Sequence, residues 1–122
     1  MKKFIILLIA TISIQSCDLL GADDPIICTE EFRTISVTIT GGVLDDFYTL
    51  RQSTGDTIRY SLWFENAYPI LDDNFQSEIK NSQETFEFFG ILNEAIVVDE
   101  EYVIAADDCH ISLVSGKTEV EL

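Results

Sequence analysis

Residues 33–40 read RTISVTIT, and this stretch indicates the fold class of the whole chain. Its apolar residues Ile35, Val37 and Ile39 occupy every second position and alternate with small polar residues. A period of two with β-branched side chains predicts a strand with one buried face and one solvated face. No segment beyond the apolar stretch at residues 4–14 shows a sustained helical period, so we expect the other elements to be strands too.

Further strands are predicted from the same alternation and from the turn residues that separate them. Residues 46–65 are expected to form a hairpin around a turn at 53–56, and the polar residues 72–84 a long loop. Strands resume in the second half at 85–92, 95–98, 101–106, 109–114 and 118–122. Seven to nine short strands in about 95 residues predict one all-β domain, an antiparallel β-sandwich.

The N-terminal residues predict a targeting segment that takes no part in the fold. Lys2 and Lys3 precede an apolar stretch of 11 residues, from Phe4 to Ile14. That stretch is shorter than the roughly 20 residues that a membrane-spanning helix needs. It ends Ile14-Gln15-Ser16-Cys17, which resembles the lipobox of bacterial lipoproteins: an aliphatic, a variable and a small residue before an invariant cysteine.

The resemblance implies that the sulfur of Cys17 receives a diacylglyceryl group and that cleavage makes Cys17 the new N-terminus. It divides the chain into a lipoprotein signal peptide (1–16), a lipidated tether (17–27) and a β-sandwich domain (28–122). It also implies an anchor in the outer membrane of a cell envelope, on its periplasmic or its external side. An ordinary signal peptide with a cysteine near the cleavage site is the alternative.

The charge of the mature chain disfavours some classes of partner and leaves cationic partners and divalent metals possible. Residues 17–122 contain five basic and 22 acidic residues, and hence a net charge of −17. Such a charge repels nucleic acid and anionic lipid headgroups, so no nucleic-acid partner is expected. No glycine-rich phosphate-binding loop occurs, and no cofactor is expected. The expected partners are the membrane, through the lipid anchor, and a protein or glycan ligand.

Two cysteines remain after Cys17, and an oxidising compartment favours a disulfide between them. Cys28 precedes the first predicted strand and Cys109 opens one of the last, so the bond would join the two ends of the domain. A zinc site that uses Cys28, Cys109 and His110 is the weaker alternative, because adjacent Cys and His lack the usual ligand spacing. His110, the only histidine, is expected to be structural.

The end of the chain carries a second resemblance. Residues 101–122, EYVIAADDCHISLVSGKTEVEL, resemble small secreted lipoproteins with a transthyretin-like or immunoglobulin-like β-sandwich. This resemblance implies a fold and no particular activity.

Two aromatic residues are the candidate ligand contacts. Ile58, Tyr60, Leu62 and Phe64 alternate along the second strand of the predicted hairpin, so this phase places them in the core and Trp63 on the outer face. The alternative is that loops cover Trp63 and make it part of the core, because Trp is highly buried on average. Phe89 is placed on an outer face in the same way. Exposed aromatic side chains bind sugars or protein partners, so we expect a non-catalytic binding or structural module.

Recurring acidic pairs suggest two alternatives to a binding module. Asp72, Asp73 and Asn74 are the first candidates for a calcium site, because carboxylate and amide oxygens suit calcium. Paired carboxylates could also serve a small hydrolase. Turns favour Asp for conformational reasons, however, and that explanation of the pairs is preferred. No metal is therefore assigned.

Overall fold

The computed structural model of the protein describes residues 27–122, which form two β-sheets. The strands are β1 (Thr34–Thr40), β2 (Asp46–Arg51), β3 (Asp56–Ile58), β4 (Ala67–Asp72), β5 (Ser82–Leu92), β6 (Ala95–Ala106), β7 (Ile111–Ser115) and β8 (Glu119–Glu121). A short 3₁₀ turn, Asp73–Phe75, follows β4. The all-β sandwich predicted from the sequence is confirmed, with a strand number inside the expected range.

The smaller sheet has the strand order β4-β1-β8, and the larger sheet has the order β3-β2-β5-β6-β7. Neighbouring strands are antiparallel except β1 and β8, which are parallel. The first and last strands therefore lie side by side. Strands β5 and β6 are the longest and form the centre of the larger sheet.

The core lies between the sheets and is built mainly from alternate residues of the strands, except in β4, where residues 68–72 are all buried. Val37 and Ile39 of β1 and Phe86 and Phe88 of β5 are among its most buried members. A buried hydrogen bond also connects the layers, because the Thr49 hydroxyl of β2 donates to the Ile70 carbonyl of β4 at 2.8 Å. In RTISVTIT, the alternating apolar residues therefore form the inner face of β1 and the polar residues form its outer face.

The predicted disulfide is present. Cys28 and Cys109 are bonded, with their Cα atoms 5.3 Å apart and a sequence separation of 81. The bond attaches the segment before β1 to the turn between β6 and β7. Because both thiols are consumed, the alternative zinc site has lost two of its three proposed ligands, and that interpretation was wrong.

Two details of the strand prediction were also wrong. Strand β3 ends at Ile58, so residues 59–65 do not continue the hairpin. Asp99 and Glu100 do not break a strand, because β6 runs through both of them. Their pairing with Phe89 and Phe88 of the long strand β5 supplies backbone hydrogen bonds that outweigh the turn preference of an acidic pair.

Candidate functional site

An apolar groove of about 370 Å³ lies on the outer face of the three-stranded sheet. Its wall is formed by three consecutive residues, Leu62, Trp63 and Phe64, and its floor by Thr34 and Ser36 of β1 with Ala67 and Pro69 of β4. Val37 and Ile39 point inward from β1, so the alternating Thr34 and Ser36 point outward into the groove.

A tight turn after the wall fixes its position against the sheet. The backbone N–H of Ala67 donates to the carbonyl of Phe64 at 3.1 Å, and the N–H of Ile39 donates to the carbonyl of Asn66 at 2.9 Å. Glu65 adopts a φ of 53°, a left-handed conformation that reverses the chain here. These contacts attach the end of the wall directly to β4 and β1.

The wall exposes an unusual amount of apolar surface. Leu62 is 85% exposed and Phe64 is 75% exposed, although the alternation predicted both in the core. That prediction was wrong because residues 59–65 leave the sheet, and the two-residue period then no longer determines which way a side chain points. Only Ile58, which is buried, and Tyr60, which packs partly against the core, follow the predicted phase.

Trp63 is both exposed and attached to the core. Its ring lies 4.9 Å from the ring of Phe47 in an edge-on arrangement, and 6.0 Å from the ring of Tyr68. The side chain is nevertheless 48% exposed and lines the groove. An indole held on one side by packed aromatic rings and open on the other is a pre-oriented contact surface.

The lining of the groove is mostly apolar. Its lining offers apolar side chains and the hydroxyls of Thr34 and Ser36, and contains no Asp, Glu, His, Cys or Lys. General acid–base catalysis needs a titratable group within reach of the reacting atoms, and the lining provides none.

Phe89, the second predicted contact, lies elsewhere. It extends from β5 on the outer face of the five-stranded sheet, because its neighbours Phe86 and Phe88 point into the core. There its ring packs 5.1 Å from the ring of Tyr48. The groove beside Trp63 and the ring of Phe89 therefore lie on the outer faces of different sheets and do not form a common site.

The three calcium candidates are occupied with protein contacts. The carboxylate of Asp72 accepts from the backbone N–H of Asn74 at 3.0 Å and from its side-chain amide at 3.4 Å. The carboxylate of Asp73 contacts three other groups, the backbone N–H of Arg33, the backbone N–H of Ile111 and the ring of His110. Among residues 27–122, no group of three His, Cys, Asp or Glu side chains is arranged to hold a metal ion.

Asp73 is the centre of a polar network that sequence reasoning missed. It accepts from the backbone N–H groups of Arg33 at 2.8 Å and Ile111 at 2.9 Å, and contacts His110 Nδ1 at 2.8 Å. The other ring nitrogen of His110 lies 3.0 Å from the Thr29 hydroxyl. Burial alone would raise the pKa of the Asp73 carboxyl, but these hydrogen bonds outweigh it and lower the pKa.

The order Thr29–His110–Asp73 is that of a nucleophile, a base and an orienting carboxylate. None of the three side chains lines the groove, however. The network instead connects four parts of the chain: the segment before β1, the start of β1, the end of β4 and the start of β7. One feature of the sequence could have predicted part of this network. Thr29 follows Cys28 and His110 follows Cys109, so a disulfide between the two cysteines brings Thr29 close to His110.

Comparison with protein-family models, curated proteins and solved structures finds no match to this chain. In residues 27–122, no helix has the length and hydrophobicity needed to cross a membrane. Cys17 and the tether up to residue 26 lie outside the described residues, so the predicted lipid anchor remains a prediction.

Proposed function

We propose that this protein is a non-catalytic, lipid-anchored protein of the cell envelope that binds a protein partner through the groove beside Trp63. The observation that carries the proposal is the run Leu62, Trp63 and Phe64, in which three large apolar side chains in succession are exposed. Soluble domains rarely leave such a patch in water without a use. Aromatic residues of this kind dominate the energetics of protein interfaces.

The lining favours a protein over a glycan. Sugar hydroxyls need several precisely placed polar groups for recognition, and here only the hydroxyls of Thr34 and Ser36 are available. The remaining lining is hydrocarbon, which matches an apolar side chain inserted from a partner. A groove of about 370 Å³ has room for one or two such side chains.

The lipid anchor is supported by the resemblance of Ile14-Gln15-Ser16-Cys17 to a lipobox. A tether of residues 17–27 would then hold the domain close to the membrane. We expect the wild-type protein, expressed in bacteria with an outer membrane, to fractionate with that membrane and to carry the mass of a lipid on Cys17. We expect Cys17→Ser to be released without that mass. A Cys17→Ser protein that stays in the membrane fraction with unchanged mass would contradict the anchor.

The binding proposal is tested by capture from detergent-solubilised envelope extract with the full chain. The groove variant Leu62→Ser/Phe64→Ser removes the most exposed apolar surface of the wall. The control variant Val43→Ser/Val114→Ser removes two exposed apolar residues that do not line the groove. We expect a protease-sensitive component retained by the wild type and the control and lost from the groove variant. Equal capture by all three proteins would overturn the groove as the binding site.

A further inference from the structure

Carboxylates lie in register with the groove on the same face of the three-stranded sheet. Strand β8 pairs with β1 so that Thr38 faces Glu119 and Thr40 faces Glu121. Between them, Ile39 is buried and Val120 packs partly against the core. Because side chains alternate along a strand, Glu119 and Glu121 point to the outer face, where the groove is.

The register also gives the spacing between the apolar and the acidic part. Ala67 on the groove floor pairs with Thr38, and Thr38 pairs with Glu119, so the three residues form one row across the sheet. Two strand spacings separate the ends of this row, about 10 Å. An extended polypeptide covers that distance in about three residues.

These carboxylates have no cationic partner within the part of the chain that the structure describes. The basic residues near this face are engaged elsewhere: Lys117 pairs with Glu100 at 3.6 Å and Arg33 with Glu31 at 3.4 Å. Glu65, directly after the wall, also makes no ion pair among residues 27–122. Within the described residues, three carboxylates without a cationic partner therefore lie near the apolar groove: Glu65 directly after the wall, and Glu119 and Glu121 on β8.

We propose that the groove binds a polypeptide segment in which a large apolar side chain is followed or preceded within about four residues by Lys or Arg. The apolar side chain contacts Trp63 and the groove floor, and the basic side chain contacts Glu119 and Glu121. The proposal rests on the proposed function, because it assigns the chemistry of the partner to the same site. Complementary charge at the rim steers a partner and discriminates against others.

The same charges disfavour two other occupants of the groove. A second copy would bring two acidic faces together, and the described domain contains 19 acidic and five basic residues. Anionic phospholipid headgroups would be repelled in the same way. A basic polypeptide is the occupant for which the surrounding charge is favourable.

The probe for the test is a displayed library of random peptides, each about 12 residues long, an extended reach of roughly 40 Å. Selection uses the full chain in detergent, with counter-selection against Leu62→Ser/Phe64→Ser. We expect enriched peptides to combine an aromatic or large aliphatic residue with a nearby Lys or Arg. We expect Glu119→Gln/Glu121→Gln to weaken the best peptide by about three- to tenfold, with loss of most salt dependence.

The matched control, Asp99→Asn/Glu101→Gln, removes the same number of charges from the β6 strand of the other sheet. This control should bind the peptide with the affinity of the wild type. Because it changes the net charge by the same amount, a weaker affinity of Glu119→Gln/Glu121→Gln alone would show that the charge beside the groove matters. Enriched groove-dependent peptides without basic residues would overturn this inference and leave the proposed function standing. A selection that enriches no groove-dependent peptide would also overturn this inference. The capture from envelope extract would then test the proposed function by itself. Binding of the Cys17→Ser protein to phosphatidylglycerol vesicles that is lost in Leu62→Ser/Phe64→Ser, or a groove-dependent dimer in sedimentation, would also overturn it.

Discussion

At the scale of single residues, Asp73 connects more parts of the chain than any other polar group described above. Its carboxylate accepts from two backbone N–H groups and contacts the ring of His110, and its side chain is 9% exposed. An ionised carboxylate has no proton to donate and can only accept hydrogen bonds. Nδ1 of His110 must therefore donate to Asp73. In the neutral imidazole, Nε2 then accepts from the Thr29 hydroxyl. One acidic residue therefore determines the tautomer of the only histidine.

We expect Asp73→Asn to lower the free energy of unfolding by about 1–3 kcal/mol, because the amide has one acceptor oxygen where the carboxylate has two and buried donors lose a partner. Denaturant titration at neutral pH measures this. The control is Asp99→Asn, which lies on the outer face of the larger sheet. Equal stabilities of Asp73→Asn and the wild type would show that the network contributes nothing.

The lowered pKa of Asp73 also predicts a pH dependence. Its folded pKa lies below the ordinary value of 3.8, so ionisation of Asp73 favours the folded state. That stabilisation is fully present above about pH 4–5 and is lost as the pH falls through the folded pKa. We expect the difference in free energy of unfolding between the wild type and Asp73→Asn to shrink as the pH falls below about 4. A difference that stays constant down to pH 2 would contradict the assignment.

Trp63 gives a second prediction at the residue scale. Truncation of a fully buried aromatic residue costs about 3–5 kcal/mol, but Trp63 is buried on one side only. We expect Trp63→Ala to cost about 1.5–2.5 kcal/mol through lost contact with Phe47 and Tyr68. Leu62→Ala, at the exposed end of the wall, should cost less than about 0.5 kcal/mol. Acrylamide should quench the indole to an intermediate degree, and a fully protected indole would place Trp63 in the core.

At the scale of elements, the turn from β7 to β8 is the most constrained by packing. Gly116 has a φ of 137° and lies against the ring of Tyr102. The Tyr102 hydroxyl donates to the backbone carbonyl of Lys117, the residue that follows Gly116, at 2.6 Å. Burial is the main cause that raises the pKa of this hydroxyl. The turn therefore directs β8 to its place beside β1.

We expect Gly116→Ala to destabilise the fold by about 2–4 kcal/mol, because a methyl group would both strain the backbone and overlap the ring of Tyr102. The control is Gly55→Ala, at a φ of 80° with no neighbouring atom within 4 Å of the added carbon. That change should cost about 1 kcal/mol from backbone strain alone. Thermal unfolding compares the two, and equal losses would argue against a steric role of Tyr102.

At the scale of the whole molecule, both ends of the domain are attached to its body. The parallel pair β1–β8 joins the first and last strands, and the disulfide joins Cys28 to the turn before β7. If the tether is lipidated, any force from the membrane reaches the domain at this crosslinked end. The groove lies on the sheet that contains β1 and β8, so its floor belongs to the part of the fold that these connections stabilise.

We expect removal of the disulfide by Cys28→Ala/Cys109→Ala to lower the free energy of unfolding by about 4–5 kcal/mol. The reason is the entropy that an 81-residue separation restores to the unfolded chain, in the loop-closure model. That is comparable to the whole stability of many small domains. Denaturant unfolding followed by Trp63 fluorescence measures it, and reduction of the wild type should reproduce the loss. An unchanged midpoint in both cases would contradict the entropic account.

The sequence by itself determined the fold class, the disulfide and most strand positions. Alternation along residues 33–40 and 85–92 reflects local backbone geometry, because a strand places successive side chains on opposite faces whatever its partner. Cys28 and Cys109 were the two cysteines left after Cys17, so their pairing needed only an oxidising compartment. These properties depend on composition and on near neighbours in the chain.

Only the tertiary structure decided where the groove is. The alternation at Ile58, Tyr60, Leu62 and Phe64 continues past the end of β3, and nothing local shows that strand pairing stops at Ile58. The direction of Leu62 and Phe64 depends on the turn at Glu65 and on its hydrogen bonds to β4 and β1. The Thr29–His110–Asp73 network and the row Ala67–Thr38–Glu119 likewise join residues far apart in sequence. Their proximity follows from sheet register, which long-range packing sets.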